Sequence, residues 1–134
     1  MTTVEAIVAR CEELCFDLDL GCVRDFKAQH PGSKAVGFLP TYAPREILHA
    51  CGVLPVGVLG AGEELEIVKG DACFQSYICH LPRSVVELGL SGRLDVLDGM
   101  IFPSTCDVIR NLSGIWKLLF PGKYVRYLDV PQSF

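Results

Sequence analysis

The sequence predicts an α/β domain, a mainly parallel sheet with flanking helices in a Rossmann-like or flavodoxin-like lobe, and two features of the chain carry that prediction. Short apolar runs rich in β-branched residues alternate with stretches whose apolar residues recur every three or four positions. Strands separated by helices are joined by crossovers rather than hairpins, which makes the sheet between them parallel and the crossovers right-handed. With 134 residues, 50% of them apolar, the chain can hide roughly two thirds of its unfolded surface in one packed domain.

Taken in order, Val4, Ile7, Val8, Cys11, Leu14, Cys15 and Leu18 mark one face of a helix. That face is expected to pack on the domain. Phe26 to Ser33 holds His30, Pro31 and Gly32, a breaker cluster that ends the helical region. Residues 1–33 thus read as an N-terminal helical segment and 34–134 as the α/β lobe. Lys34–Leu39 reads as a buried strand, Pro44–Cys51 as a short helix stopped by Gly52, and Leu54–Leu59 as a second strand. After a loop from Gly60 to Asp71, a helical stretch runs from Cys73 to Leu90. Pro82 should kink or split it, because proline removes a donor and clashes with the preceding turn. Gly99–Phe102 is a third strand, Ser104 and Thr105 can cap a helix from about Cys106 to Phe120, and Tyr124–Val130 is a fourth strand. The chain stops just after it, at Pro131-Gln132-Ser133-Phe134, where another helix is due, so a truncated protein is expected.

Charge and composition exclude several roles. A net charge of −4 with scattered Lys and Arg leaves nothing to neutralise a phosphate backbone, so nucleic acid is not an expected partner. No apolar run reaches the roughly 18 residues that span a bilayer, and the N-terminus carries acids where a signal peptide carries bases. No membrane association and a cytoplasmic location follow as expectations. Seven cysteines, an odd number at irregular spacings, disfavour a disulfide framework and leave buried thiols or metal ligands.

Ligands of open parallel sheets gather at the carboxyl ends of the strands. Three segments arrive there: Pro40–Glu46, the loop and helix carrying Cys79, and Pro103–Asp107. Cys106 falls in the first turn of a helix, where free N–H groups and the helix dipole favour a thiolate. A buried thiol filling the strand–helix junction is an equal alternative. Cys79 lies beside Pro82, where disrupted backbone suits a cluster site, although core packing explains it as well. Their spacing of 27 positions (106 − 79) matches neither a zinc ribbon nor a ferredoxin. Cys11 and Cys15, one turn apart, read as core; Cys51 and Cys73 lack ligand-like neighbours, and Cys22 is uninformative. His49 and His80 could act as acid, base or donor, or lie at the surface. Gly60-Ala61-Gly62 opens like a dinucleotide loop, but Leu65 replaces the third glycine, and there is no phosphate loop of the GxxxxGK type. ATP chemistry therefore belongs to another chain.

Four segments in order, AVGFLPTYAPREILHACGVLPVGVLG, FQSYICHLPRS, ELGLSGRLDVLDGMIFPSTCDVIRNLSGIWK and KYVRYLDVPQ, resemble the benzoyl-CoA reductase / 2-hydroxyacyl-CoA dehydratase family. The N-terminal ARCEELCFDL is similar to its reductase members, and NLSGIWK favours them over the dehydratases. The resemblance implies two α/β lobes with a 4Fe-4S cluster between them, held by three cysteines. Two of these fall at Cys79 and Cys106; the third belongs to the second lobe, absent from this sequence. It further implies a second homologous cluster-bearing subunit, an ATP-hydrolysing iron–sulfur activator fed by ferredoxin, and an acyl-CoA substrate. An electron driven by ATP hydrolysis then enters the aromatic ring of benzoyl-CoA and yields a cyclic diene thioester. On this basis Glu46 and His49 are candidate catalytic residues, and Tyr42, Ser104 and Thr105 candidates for lining the cluster or substrate pocket. A solvated first-turn carboxylate is the equal alternative for Glu46. Two other readings stand beside this one: a 2-hydroxyacyl-CoA dehydratase subunit, and a cluster-free α/β interaction module.

Overall fold

A computed structural model describes residues 3–131. Its elements run α1 (Val4–Cys15), α2 (Gly21–Gln29), β1 (Lys34–Phe38), α3 (Arg45–Ala50), β2 (Val53–Gly57), a 3₁₀ turn (Asp71–Cys73), α4 (His80–Leu90), β3 (Gly99–Pro103), α5 (Asp107–Leu119) and β4 (Tyr124–Leu128). The strands form one sheet in the order β2-β1-β3-β4, and every neighbouring pair is parallel. The α/β class read from the sequence is the class observed. Strand ends differ by a residue or two: β2 starts at Val53, and β4 stops at Leu128.

The N-terminal segment departs further from expectation. It holds two helices rather than one, because Asp17 turns the chain and its carboxylate accepts hydrogen bonds from the N–H groups of Gly21 (2.8 Å) and Cys22 (2.9 Å). Asp17 thereby does the capping that the left-handed Leu20 (φ 52°) does not. The first helix is present, yet none of its residues is buried, and Val4 is 73% exposed. Its packing is confined to the C-terminal end, where Leu14, Cys15 and the following Leu18 border a groove beside Val58, Leu88 and Leu94. Cys11 and Cys15, read as core, are consequently exposed.

Two local expectations at the ends of α4 and α5 are corrected. Pro82 neither kinks nor splits a helix, since α4 begins only at His80 and Pro82 is its third residue. There a missing N–H has no acceptor within the helix to lose, so proline is tolerated. Residues 73–79 are the last residue of the 3₁₀ turn followed by irregular backbone, instead of a first helical half. Neither Ser104 nor Thr105 caps α5; Cys106 is its N-cap, with no side-chain capping hydrogen bond.

The core lies against the central strands. Phe102, Leu39, Met100, Leu112, Val85 and Val86 are all less than 2% exposed, and burying each such side chain contributes about 1.5–3 kcal/mol. On α5 the buried residues Ile109, Leu112, Ser113 and Trp116 follow the helical period and face the sheet. Gly89 of α4 lets that helix approach: a Cβ there would stand 2.7 Å from Trp116 Cη2 and 2.8 Å from Phe120 Cζ. At the amino edge, Asp98 accepts hydrogen bonds from Lys27 Nζ (2.9 Å), Lys34 Nζ (3.1 Å) and the Ala35 N–H (2.9 Å). Partial burial pushes its pKa up, but the Ala35 N–H and the two lysines outweigh this and hold it down at about 2. One carboxylate thus ties α2, β1 and the turn before β3 together.

Candidate metal centre

Because all four strands run the same way, Phe38, Gly57, Pro103 and Leu128 end at one edge. The chain moves outward from β1 to β2 on one side and from β3 to β4 on the other. The switch point therefore lies between β1 and β3, where the two outgoing loops diverge and leave a crevice suited to a ligand.

Cys106 stands at that crevice. It follows β3 by three residues and is the N-cap of α5. The Thr105 hydroxyl donates to the Pro40 carbonyl at 3.5 Å, a long bond that links the loops after β3 and β1. Cys79 reaches the same edge from α4, of which it is the N-cap. The level is set by contacts just beyond β2: the Ala61 N–H donates to Ser84 Oγ at 3.3 Å, and a Cβ on Gly60 would stand 3.7 Å from the Leu81 carbonyl. The first turn of α4 thus lies beside the carboxyl end of β2. Helices α4 and α5 also pack on each other. Both thiols are exposed and neither is engaged in capping, so core packing accounts for neither residue.

The remaining candidates cluster less tightly. Tyr42 is exposed in the loop after β1 and holds a left-handed backbone at φ 61°, an uncommon state for a residue with a side chain. It lines a hollow of about 230 Å³ with Phe38, Thr41 and Arg45. Glu46 occupies the first turn of α3 and His49 the last, both exposed. Ser104 leads into Cys106, and its Oγ is buried without a hydrogen-bond partner among the described residues. An orphaned hydroxyl beside an open thiol is a group that a bound ligand can satisfy.

As a test of a metal centre, the donors present are soft and accessible, as an iron–sulfur cluster requires. Among the described residues, however, no group of three or more His, Cys, Asp or Glu side chains converges. Cys79 and Cys106 therefore fit as part of a ligand set, not as a complete one. Also among the described residues, no helix is long and apolar enough to cross a membrane.

Sequence reasoning passes over a buried acid that ties the loop before α4 to that helix. Glu87 is 7% exposed within the apolar stretch SVVELGL of α4. Its Oε2 accepts from the N–H groups of Val68 (2.9 Å) and Gly70 (2.8 Å). Burial raises its pKa, but these backbone hydrogen bonds, led by that of Gly70, keep it below the usual carboxylate range. A lone acid in an apolar helix is the available signal; its partners, 17 and 19 positions upstream, are not visible in the sequence.

The chain is similar in sequence to known proteins. Residues 40–134 match the family model described as 2-hydroxyglutaryl-CoA dehydratase, D-component. The chain is 59% identical over 134 residues to a benzoyl-CoA reductase subunit of Thauera aromatica, covering all of this chain and 34% of that protein. It is 39% identical over 108 residues to the β subunit of (R)-2-hydroxyglutaryl-CoA dehydratase of Acidaminococcus fermentans, covering 80% of this chain and 28% of that one. A third relative, the lactoyl-CoA dehydratase β subunit of Anaerotignum propionicum, is 35% identical over an alignment of 139 positions, covering the whole chain and 36% of the relative. The chain thus spans about a third of the length of these relatives. By a model that matches most of its residues, this chain belongs to the 2-hydroxyglutaryl-CoA dehydratase, D-component, family.

Proposed function

We propose that this chain is the N-terminal lobe of an iron–sulfur subunit of a benzoyl-CoA reductase, in which Cys79 and Cys106 are two of the ligands of a 4Fe-4S cluster. The observation that carries the reading is the pair of open thiols at the N-caps of α4 and α5, two helices that both start at the carboxyl edge of the sheet. The identity of 59% to a benzoyl-CoA reductase subunit supports the reductase over the dehydratase. The third thiolate comes from outside the described residues. When bound, the cluster supplies a low-potential one-electron carrier for an acyl-CoA substrate.

The residues of this chain then have separable tasks. Each N-cap holds its sulfur at the start of a helix, where the positive end of the helix dipole favours negative sulfur ligands. Ser104 and Thr105 bring hydroxyls to the carboxyl end of β3, and Thr105 steadies the crevice through Pro40. Tyr42 lines the pocket and excludes water. Glu46 and His49 hold protons for delivery to the reduced acyl-CoA. In the cytoplasm this lobe works with a second homologous cluster-bearing subunit and an ATP-hydrolysing activator supplied by ferredoxin.

Anaerobic reconstitution followed by iron counting and electron paramagnetic resonance tests the ligand pair. Wild type is expected to hold cluster iron in its complex, and Cys79→Ala and Cys106→Ala each to lose it. Full occupancy and an unaltered spectrum in both variants would reject the assignment. Turnover of benzoyl-CoA against a 2-hydroxyacyl-CoA decides the substrate class; product from the hydroxyacyl thioester alone selects the dehydratase, which the identities of 39% and 35% to dehydratase β subunits favour as the second reading. A cluster-free interaction module is the third, motivated by the incomplete ligand set among the described residues; it predicts no cluster signal under any loading condition.

A further inference from the structure

We propose that Glu87 is a positioning residue for Cys79, an inference that rests on the reading of Cys79 as a cluster ligand. The chain between β2 and α4, from Val58 to Cys79, contains only one short 3₁₀ turn. Helix α4 fixes the backbone of its N-cap Cys79, but the path by which the preceding chain reaches that residue is set by contacts outside secondary structure. The structure assigns that task to one face of α4. Ser84 accepts from the Ala61 N–H, Arg83 Nη1 pairs with Asp71 Oδ1 at 2.8 Å, and Glu87 accepts from Val68 and Gly70. Residues 83, 84 and 87 are neighbours on a helix, so the loop is laid back along the helix that carries the cysteine.

Within this clamp Glu87 is the part that simple packing does not explain. A leucine would fill the same apolar site without the cost of burying a charge. A carboxylate accepts more strongly than a neutral oxygen from two converging backbone N–H groups, and here they belong to residues 68 and 70. Gly70 completes the fit: a Cβ there would overlap the Arg83 carbonyl oxygen, so the backbone lies directly on α4. From Gly70 the chain has nine residues (79 − 70) in which to reach Cys79. With the clamp on Gly70 released, the remaining tie on this segment is the Asp71–Arg83 pair, and the next anchor upstream is Ala61, eighteen residues (79 − 61) from the thiol. The carboxylate acts through the backbone, two helical turns from the cysteine, and touches no ligand itself.

The test uses the full-length protein in its complex, reconstituted anaerobically, as wild type, Glu87→Ala, Glu87→Gln, Asp71→Asn and Cys79→Ser. Three quantities are read: iron loss to a ferrous chelator, the g-values of the reduced cluster, and the melting temperature. Removal of an outer group that orients a ligand weakens a metal site about 10–100-fold. Because Glu87 acts on the ligand only through the backbone, E87A is expected to release iron faster by up to about 10-fold, the lower end of that range, with shifted g-values, and E87Q, which keeps one acceptor oxygen, to fall between it and wild type. A lowered melting temperature in E87A with iron loss and g-values equal to wild type would reduce Glu87 to a structural pin and overturn the proposal. Should E87A fail to fold, E87Q and D71N carry the test, and wild-type iron loss and g-values in both also overturn it. If C79S keeps full iron and an unaltered spectrum, it is the ligand reading that falls, whatever Glu87 does.

Discussion

Replacing Asp98 by Asn tests the tie between the N-terminal helices and the sheet, and its size can be worked from the structure. The carboxyl titrates at about 2 in the folded chain against an ordinary value of 3.8. A gap of nearly two units at about 1.36 kcal/mol each corresponds to roughly 2 kcal/mol of stability at neutral pH. The side chain is 27% exposed, so solvent screening removes only part of this. The sign is determined by the direction of the shift. A depressed folded pKa stabilises above the unfolded value, and that stability is lost as pH falls through about 2. An asparagine in its place would keep the shape but cannot satisfy two lysines and an N–H together. Urea unfolding at pH 7 should therefore show a midpoint lowered by about 1 M, for a slope of about 2 kcal/mol per M. The difference should shrink steadily below about pH 4 and vanish near pH 2. Equal midpoints at neutral pH, or a deficit that persists unchanged in strong acid, would refute the assignment of the shift to this network.

Three further outcomes follow from local geometry. Pro82→Ala should cost about 1–3 kcal/mol in thermal unfolding, through the fully buried ring carbons it removes and not through helix hydrogen bonding, since a first-turn proline replaces no helical hydrogen bond; a gain on substitution would mean that the proline strains α4 after all. Gly89→Val should cost about 1–3 kcal/mol, since the added carbons meet Trp116 and Phe120, and the tryptophan fluorescence of this single-tryptophan chain should shift with it. Tyr42→Gly should leave the melting temperature unchanged or raise it, whereas Tyr42→Val should lower stability by about 1–3 kcal/mol, because a β-branched residue resists a φ of 61° more than any other; equal losses in both variants would show that the tyrosine ring, not the backbone, matters.

Much of the fold is legible in the sequence because its signals are local. Apolar runs at Lys34–Phe38, Val53–Gly57 and Gly99–Pro103 lie between helical stretches, and they form neighbouring parallel strands. Gly52, expected to stop the short helix, does follow α3 with a φ of 71°. Where expectation and structure part, two local rules compete. Pro82 reads as a breaker inside a long helix, and the irregular backbone of residues 73–79 makes it a first-turn residue instead. Ser104 and Thr105 are good caps by residue type, yet the sheet pairing that carries β3 through Pro103 places Cys106 at the boundary.

The candidate site divides in the same way. By itself the sequence determined the α/β class, the position of Cys106 at a helix start, and, through the resemblance of its motifs, the family, whereas in the sequence Cys79 reads as lying inside a longer helical stretch. Tertiary structure alone decided that both thiols are exposed at one edge, that the α1 face stays uncovered, and that Glu87 and Asp98 are anchored acids rather than solvated ones. The physical reason is range. Periodicity and residue preference act over one or two turns of chain, whereas burial and hydrogen bonding depend on which distant atoms arrive, as when Lys27 meets Asp98 across 71 positions.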